Sequence, residues 1–317
     1  MFWNRLFRRE GAFAVAIFAA DELSLDDVLD EKHLTFQLPI INLWRAKPLL
    51  FQADSFLFVK GDYLYLFYEL QHWDDPGIIV MRKTQDLKVW TEPIVVLEQP
   101  YHLSFPYVFE DNGQVYMIPE SQESDAIHLF RADNDELTSF SKVRTLLSQE
   151  RKEGIHYNYN DSHIYKKDGI YYLFTSYQRN WMYFQELYET DNLLEGKFER
   201  HPDSPICTSN EFGRNGGSLI YFDGHLLRVT QDCHAAYGDN VSLMEIDTLS
   251  PDKYEEHLFR RNVLPPNTIF KEGGHQLNIV RFKDKYVYAT DYKQNRWAWY
   301  KLWIAILKKL KLHKHRG

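Results

Sequence analysis

The chain has 317 residues, 44% of them apolar and 16% aromatic, enough to bury a large core as one big domain or two ordinary ones. Its formal charge of -8 argues against a nucleic-acid surface, which needs clustered Lys and Arg to neutralise phosphates. Cys207 and Cys233 are the two cysteines, without CxxC spacing, so a disulfide scaffold is excluded and a reducing, cytoplasmic setting is the natural expectation.

In chain order, the start "MFWNRLFRREGAFAVAIFAADELSL" has a basic-aromatic lead (Phe2, Trp3, Arg5, Phe7, Arg8, Arg9) and a short apolar run, Ala12 to Ala20, met at once by acids. A secretory signal is the rival reading; the preferred one is a lead followed by a strand over Ala12 to Phe18. No apolar run approaches the roughly 20 residues a membrane-crossing helix needs.

Then one sentence of sequence recurs. "ADSFLFVKGDYLYLFYEL", "SFPYVFEDNGQVYMIPES", "NDSHIYKKDGIYYLFTSY", "GGSLIYFDGHLLRVTQD" and "HQLNIVRFKDKYVYATDY" each run strand, two-residue turn, strand. The turns are Gly61-Asp62, Asn112-Gly113, Asp168-Gly169, Asp223-Gly224 and Lys283-Asp284, the strongest short-range hairpin signal. Equivalent positions Ser55, Pro106, Ser162, Ser218 and Leu277 are 51, 56, 56 and 59 residues apart. Antiparallel units at that period mean propeller blades, with further short strands such as "IIVMRKTQDLKVW" and "AIHLFRADND" completing four per blade. The expectation is an all-β, five-bladed propeller over 1–296, with central hairpins near 53–70, 104–121, 160–177, 216–232 and 275–292. The Ala12–Phe18 strand is expected to supply the outer strand that closes the ring onto the last blade. A β-sandwich is the alternative, but sandwiches do not repeat the same words at near-constant spacing.

In a propeller the innermost strands start at one mouth of a central funnel, which gathers Asp54, His102, Ser104, Asp161, Arg214 and His275. The return strands contribute Glu69, Glu120, Gln231, Asp232 and Asp291. Such a ring suits a polyhydroxylated ligand, each hydroxyl of which needs a donor and an acceptor. Glycosyl chemistry asks for a carboxylic acid and a carboxylate, and Asp54, Glu120 and Asp161 are the candidates. Glu120 follows the apolar "VYMIP", so partial desolvation would raise its pKa towards that of a general acid. Turn-forming or capping roles compete for each carboxylate, and structural hydrogen bonding competes for His102 and His275. "GRNGGS" lacks the context of a phosphate cradle, and no metal or cofactor signature is present.

The segment 297–317, "WAWYKLWIAILKKLKLHKHRG", shifts composition. As a helix, Trp299, Leu302, Trp303, Ile306, Leu307 and Leu310 form one apolar face, with Lys301, Lys308, Lys309, Lys311, Lys314 and Arg316 around it. It is expected to bind an anionic membrane surface peripherally, the docked-helix reading being the alternative.

"HLSFPYVFEDNGQVYMIPES", "NDSHIYKKDGIYYLFTS" and "GRNGGSLIYFDGHLLRVTQDCHAAYGD" resemble the propeller domain at the N-terminus of plant glucosamine inositolphosphorylceramide transferases, with this chain similar to a bacterial stand-alone member. The resemblance covers about Ala12 to Asp291 and implies a fold akin to arabinofuranosidase-type glycoside hydrolases, at work in surface-polysaccharide or lipopolysaccharide assembly. It further implies a lining of His102, Ser104, Pro106, Glu120, Arg214, Gln231 and Asp232. Those hydrolases place a carboxylate on each of the first three inner strands. Asp54 matches the first, Phe105 stands where the second would be, and Asp161 replaces a Glu. Glycosyl transfer is therefore the favoured expectation, with a non-catalytic glycan binder or a hydrolase as alternatives. The partners expected are a glycan or lipid-linked sugar, a nucleotide sugar as candidate donor, and other glycan-assembly enzymes.

Overall fold

The computed structural model describes residues 9–297 apart from 41–48, 73–74 and 149–157, together with Ile306 and Lys309. Among the described residues the regular structure comprises twenty-one strands and two short 3-10 turns, besides the helical positions Ile306 and Lys309. They are β1 (Arg9–Ala20), β2 (Leu34–Gln37), β3 (Leu49–Lys60), β4 (Tyr63–His72), β5 (Ile78–Thr84), β6 (Ile94–Leu97) and β7 (Ser104–Asp111). Next come β8 (Gln114–Glu120), β9 (Ala126–Ala132), β10 (Phe140–Ser148), β11 (Asn160–Lys167), β12 (Ile170–Arg179), β13 (Met182–Thr190) and β14 (Glu199–Arg200). The rest are β15 (Cys207–Thr208), β16 (Ile220–Phe222), β17 (His225–Asp232), β18 (Asn240–Ser250), β19 (Lys253–Arg260), β20 (Leu277–Phe282) and β21 (Lys285–Trp297). The helix expected over 297–317 lies almost wholly outside the described residues.

The turn dipeptides act as their chemistry requires. Asn112-Gly113, Asp168-Gly169 and Asp223-Gly224 all have positive φ at both positions, the twist that lets two right-twisted strands pair through two residues. They join β7 to β8, β11 to β12 and β16 to β17; Gly61-Asp62 and Lys283-Asp284 join β3 to β4 and β20 to β21.

Three sheets are separate: β7-β8-β9-β10, β11-β12-β13-β14 with β15 on β13, and β16-β17-β18-β19. The fourth has eight strands, and its halves β20-β21-β1-β2 and β3-β4-β5-β6 are joined through one parallel pair, Ala14 with Gln52. β1 is thus the third strand of the last unit, held to β21 through twelve residue pairs, and β2 rather than β1 forms its outer edge.

Each pair of neighbouring units shares an apolar seam. Leu57, Leu64 and Tyr68 meet Ala14, Ile17 and Ala289; Phe67 and Met81 meet Val108 and Met117; Ile118 and Leu129 meet Ile164 and Leu173. Phe174 and Leu187 then meet Ile246 and Tyr254, and Val229 and Leu243 meet Phe18 and Tyr288. The seams run from unit to unit and return to the start, leaving the innermost strands β3, β7, β11, β16 and β20 around the axis.

Candidate active site

Three innermost strands carry the same irregularity. Pairing slips between Ala53 and Phe56 in β3, Ser104 and Tyr107 in β7, and Asn160 and His163 in β11. At each slip one residue is left-handed: Asp54 (φ 56), Phe105 (φ 44) and Asp161 (φ 48). Such a bulge turns a peptide N–H and a side chain out of the ladder, here into a ring of donors and carboxylates. The Phe105 N–H donates to Asp54 Oδ2 at 3.2 Å, the Asp161 N–H to Glu120 Oε2 at 3.1 Å, and the Asp54 N–H to Asp291 Oδ2 at 3.4 Å. Phe105 confirms the missing carboxylate, its ring being buried edge-on to Phe56 at 4.8 Å.

Opposite the bulged strands stand the return-strand acids: Glu69 pairs with Ala53 and Glu120 with Ser104. Asp54, Glu69, Glu120, Asp161 and Asp291 are all buried. Burial drives the Glu69 and Glu120 carboxyls well above the usual carboxylate range, with neighbouring acids adding to it. Asp54 is lifted, again chiefly by burial, to about 6, with the charge of His275 opposing the rise. Among the described residues Glu69 Oε1 makes no hydrogen bond, and His102 Nε2 stands 3.4 Å from it. Burial lowers the His102 pKa, and its neutral ring accepts the Gly77 N–H through Nδ1 at 3.0 Å.

Two cations face these acids. Arg214 donates through Nε to Asp161 Oδ2, places NH2 3.7 Å from Glu120, and gives a 3.3 Å bond to the Tyr183 hydroxyl. The Tyr183 and Tyr237 ring centres lie 5.5 and 5.2 Å from its guanidinium carbon. Gln231 Nε2 donates to the same Asp161 oxygen at 3.1 Å, and Asn215 Nδ2 to the Asp161 carbonyl at 2.7 Å. Asp161 is therefore held through Oδ2 by Arg214 and Gln231 and through its carbonyl by Asn215. His275 stands with Nδ1 2.5 Å from Asp291 and Nε2 3.3 Å from Asp54. Burial pulls its pKa down, but Asp291 and Asp54 outweigh burial and the net shift is upward. Asp54, His275 and Asp291 each offer a ligand atom within 4.8 Å of the others, the His275 ring lying between the two acids.

The structure thus brings together Asp54, Glu120, Asp161, Arg214, Gln231 and His275, sets Glu69 beside His102, and places Ser104 opposite Glu120. Asp232 is elsewhere: its carboxylate accepts the His234 N–H at 2.8 Å and closes a turn. Sequence reasoning missed Asn215, Tyr183, Tyr237 and Phe13, whose ring stacks on His275 at 4.3 Å. Asn215 and Tyr237 lay inside quoted motifs, "GRNGGS" and "CHAAYGD"; Tyr183 and Phe13 reach the site through strand register, which no local motif announces.

Among solved structures, the chain is similar to the family 43 glycoside hydrolase BlXynB of Bacillus licheniformis, with TM-score 0.51 and 19% identity over 70% of this chain and 44% of that one. It is also similar to Zg3597, a family 117 glycoside hydrolase of Zobellia galactanivorans, with TM-score 0.53 and 14% identity over 76% and 84% of the two chains. These likenesses establish a propeller-type fold. In sequence it is 35% identical to glucosamine inositolphosphorylceramide transferase 1 of Arabidopsis thaliana over 66% of this chain, and the match spans 27% of that protein. Residues 43–271, well over half the chain and the stretch that builds the bulged strands and Arg214, match the model of one family, so the chain belongs to the family of the N-terminal region of glucosamine inositolphosphorylceramide transferase 1.

Proposed function

We propose that residues 1–296 form a five-bladed propeller and that its funnel mouth carries out glycosyl transfer in the assembly of cell-surface polysaccharide or lipopolysaccharide. The count of five takes the eight-stranded sheet as two blades that meet at the single Ala14–Gln52 pair. One observation carries the chemistry: Glu120 and Asp54 stand buried in one ring with Arg214, His275 and Gln231, burial pushing the Glu120 carboxyl well above the usual range and lifting Asp54 to about 6. Two carboxyl groups whose surroundings shift them to different extents form the acid and base pair that sugar transfer needs. In this reading Glu120 protonates the leaving oxygen and Asp54 acts as base or nucleophile. Asp161, tied to Arg214, positions; Glu69 Oε1, Ser104, Gln231, His102 and His275 receive hydroxyls. The relatives carry a sugar and a ceramide lipid in their name, which supports a lipid-linked glycan as partner. A nucleotide sugar as donor and other glycan-assembly enzymes as neighbours complete the proposal.

A second reading, a non-catalytic glycan binder, is favoured by Asp161 being consumed in its ion pair and by Phe105 in place of a carboxylate. Radiolabelled nucleotide sugars with lipid-linked acceptors separate the two. Transfer by the native chain that is lost in Glu120→Gln supports the enzyme; sugar binding without turnover, equal in native and Glu120→Gln chains, supports the binder. Release of free sugar without an acceptor would instead indicate a hydrolase. Attachment to the cytoplasmic face of a membrane through 297–317 belongs to the same proposal, and a chain ending at Asn295 should no longer sediment with anionic vesicles.

A further inference from the structure

The strand register shows which side of the ring the chain's two flanking segments leave from. Asp291, in the site, pairs with Val15, and the β1–β21 ladder continues for six more residues to Arg9 with Trp297. At about 3.3 Å per residue that puts Arg9 and Trp297, where the described ladder ends, some 20 Å beyond the site on the mouth side, away from the end where the hairpin turns lie. In sequence these two residues adjoin the aromatic and basic lead Phe2–Arg8 and the lysine-rich 298–317.

A second element projects the same way. In the third unit Asn160 pairs with Ser176 at the level of the site, and the β12–β13 hairpin runs on through Tyr177–Phe184, Gln178–Tyr183 and Arg179–Met182. Its base is braced: the Ser209 N–H donates to the Tyr183 carbonyl at 3.0 Å, and the Tyr177 and Phe184 rings stack at 5.1 Å. The tip, Arg179-Asn180-Trp181-Met182, is exposed throughout, and Trp181 is 86% exposed. Asn180 and Trp181 both have positive φ (51 and 66), a turn that Asn-Gly makes without strain. A bulky residue in the left-handed region is costly, and the fold alone does not call for a tryptophan there. Beside it, in the fourth unit, the loop His234-Ala235-Ala236-Tyr237 is also exposed and bears no carboxylate.

We propose that this sector of the mouth, from the Arg179–Met182 tip across His234–Tyr237 to the end of β1–β21, rests on an anionic lipid surface and so turns the funnel towards sugars carried on that surface. An interfacial indole, a neighbouring guanidinium and flanking basic-aromatic segments are the chemistry that recognises such a surface. Asp75, Glu123 and Asp125 lie in the first and second units, while Asp239, which follows the fourth-unit loop, and Glu272, beside the end of β21, both face Lys293. The inference rests on the proposed lipid-linked substrate, but the vesicles that test it carry no sugar.

In a Cys207→Ser, Cys233→Ser chain, an environment-sensitive fluorophore is attached through Asn180→Cys or through Tyr221→Cys, Tyr221 being exposed near the Asp223-Gly224 turn at the far end. With phosphatidylcholine vesicles containing phosphatidylserine, the label at 180 should brighten several-fold and shift to the blue, reverting at high salt, while the label at 221 stays unchanged. An equal response at both positions, a response at 221 alone, or no vesicle binding overturns the proposal. Trp181→Ala should weaken vesicle binding several-fold; unchanged vesicle binding with weakened oligosaccharide binding would make Trp181 a sugar platform and also overturn it. Because Asp54→Asn is expected to bind vesicles as the native chain does, loss of the transfer reading leaves this result standing.

Discussion

Asp54 joins backbone, charge and chemistry in one residue. Its left-handed φ of 56 suits Asp and Asn better than other side chains, so Asp54→Asn should keep the bulge and the acceptor for the Phe105 N–H. The folded-state pKa of about 6 lies above the ordinary 3.8, so between those values the folded chain holds a proton that the unfolded chain has lost. Stability therefore falls as pH rises from about 4 to about 6, by on the order of 2–3 kcal/mol for this group. Thermal melts across that window should show the fall in the native chain and a flatter profile in Asp54→Asn, which should also lose turnover or glycan affinity. Arg214 is the opposite case. Removing the guanidinium that donates to buried Asp161 leaves that acid without its cation, and Arg214→Ala should cost about 3–5 kcal/mol in urea unfolding.

The bulged inner strand and the tight hairpin are the repeating devices that make the site. A bulge aims one side chain inward, and the return strand places an acid opposite it, as Glu69 and Glu120 show. The loop from β6 to β7 then has to pass close by. Gly77 makes this possible, since a Cβ there would stand 2.5 Å from the Leu103 carbonyl and 2.8 Å from the His102 ring. Gly77→Ala should displace His102 from Glu69, weakening glycan binding by calorimetry while lowering the melting temperature by several degrees, as a loss of about 1–2 kcal/mol would in a domain of this size.

The ring is closed by a strand from the far end of the sequence. β1 pairs along its whole length with β21 and buries Ala12 to Phe18 between the last unit and the first. A chain starting at Asp21 loses that strand from both seams at once. It should unfold without a single cooperative transition and bind a hydrophobic dye, whereas truncation after Asn295 should leave the melting temperature nearly unchanged and remove vesicle binding.

Local chemistry made much of this legible. Asn-Gly and Asp-Gly admit positive φ at both turn positions, so hairpins and their period stood in the sequence, and with them the ring and the strands that open onto its mouth. Asp54, Glu120, Asp161, Arg214 and His275 could be gathered because each sits seven to nine residues from such a turn. Their division of labour was not legible, because it depends on distances between strands more than 50 residues apart. Asp161 stood beside Asp54 among the candidate acids, and only the fold brings Arg214, Gln231 and Asn215 onto it. Asp232, one residue beyond Gln231, turned away because successive strand residues face opposite sides and its carboxylate found a turn to cap. Tyr183 and Phe13 entered the site through register alone. Turn type and alternation are properties of neighbours in sequence; burial, ion pairing and the pKa shifts that follow from them arise where distant strands meet.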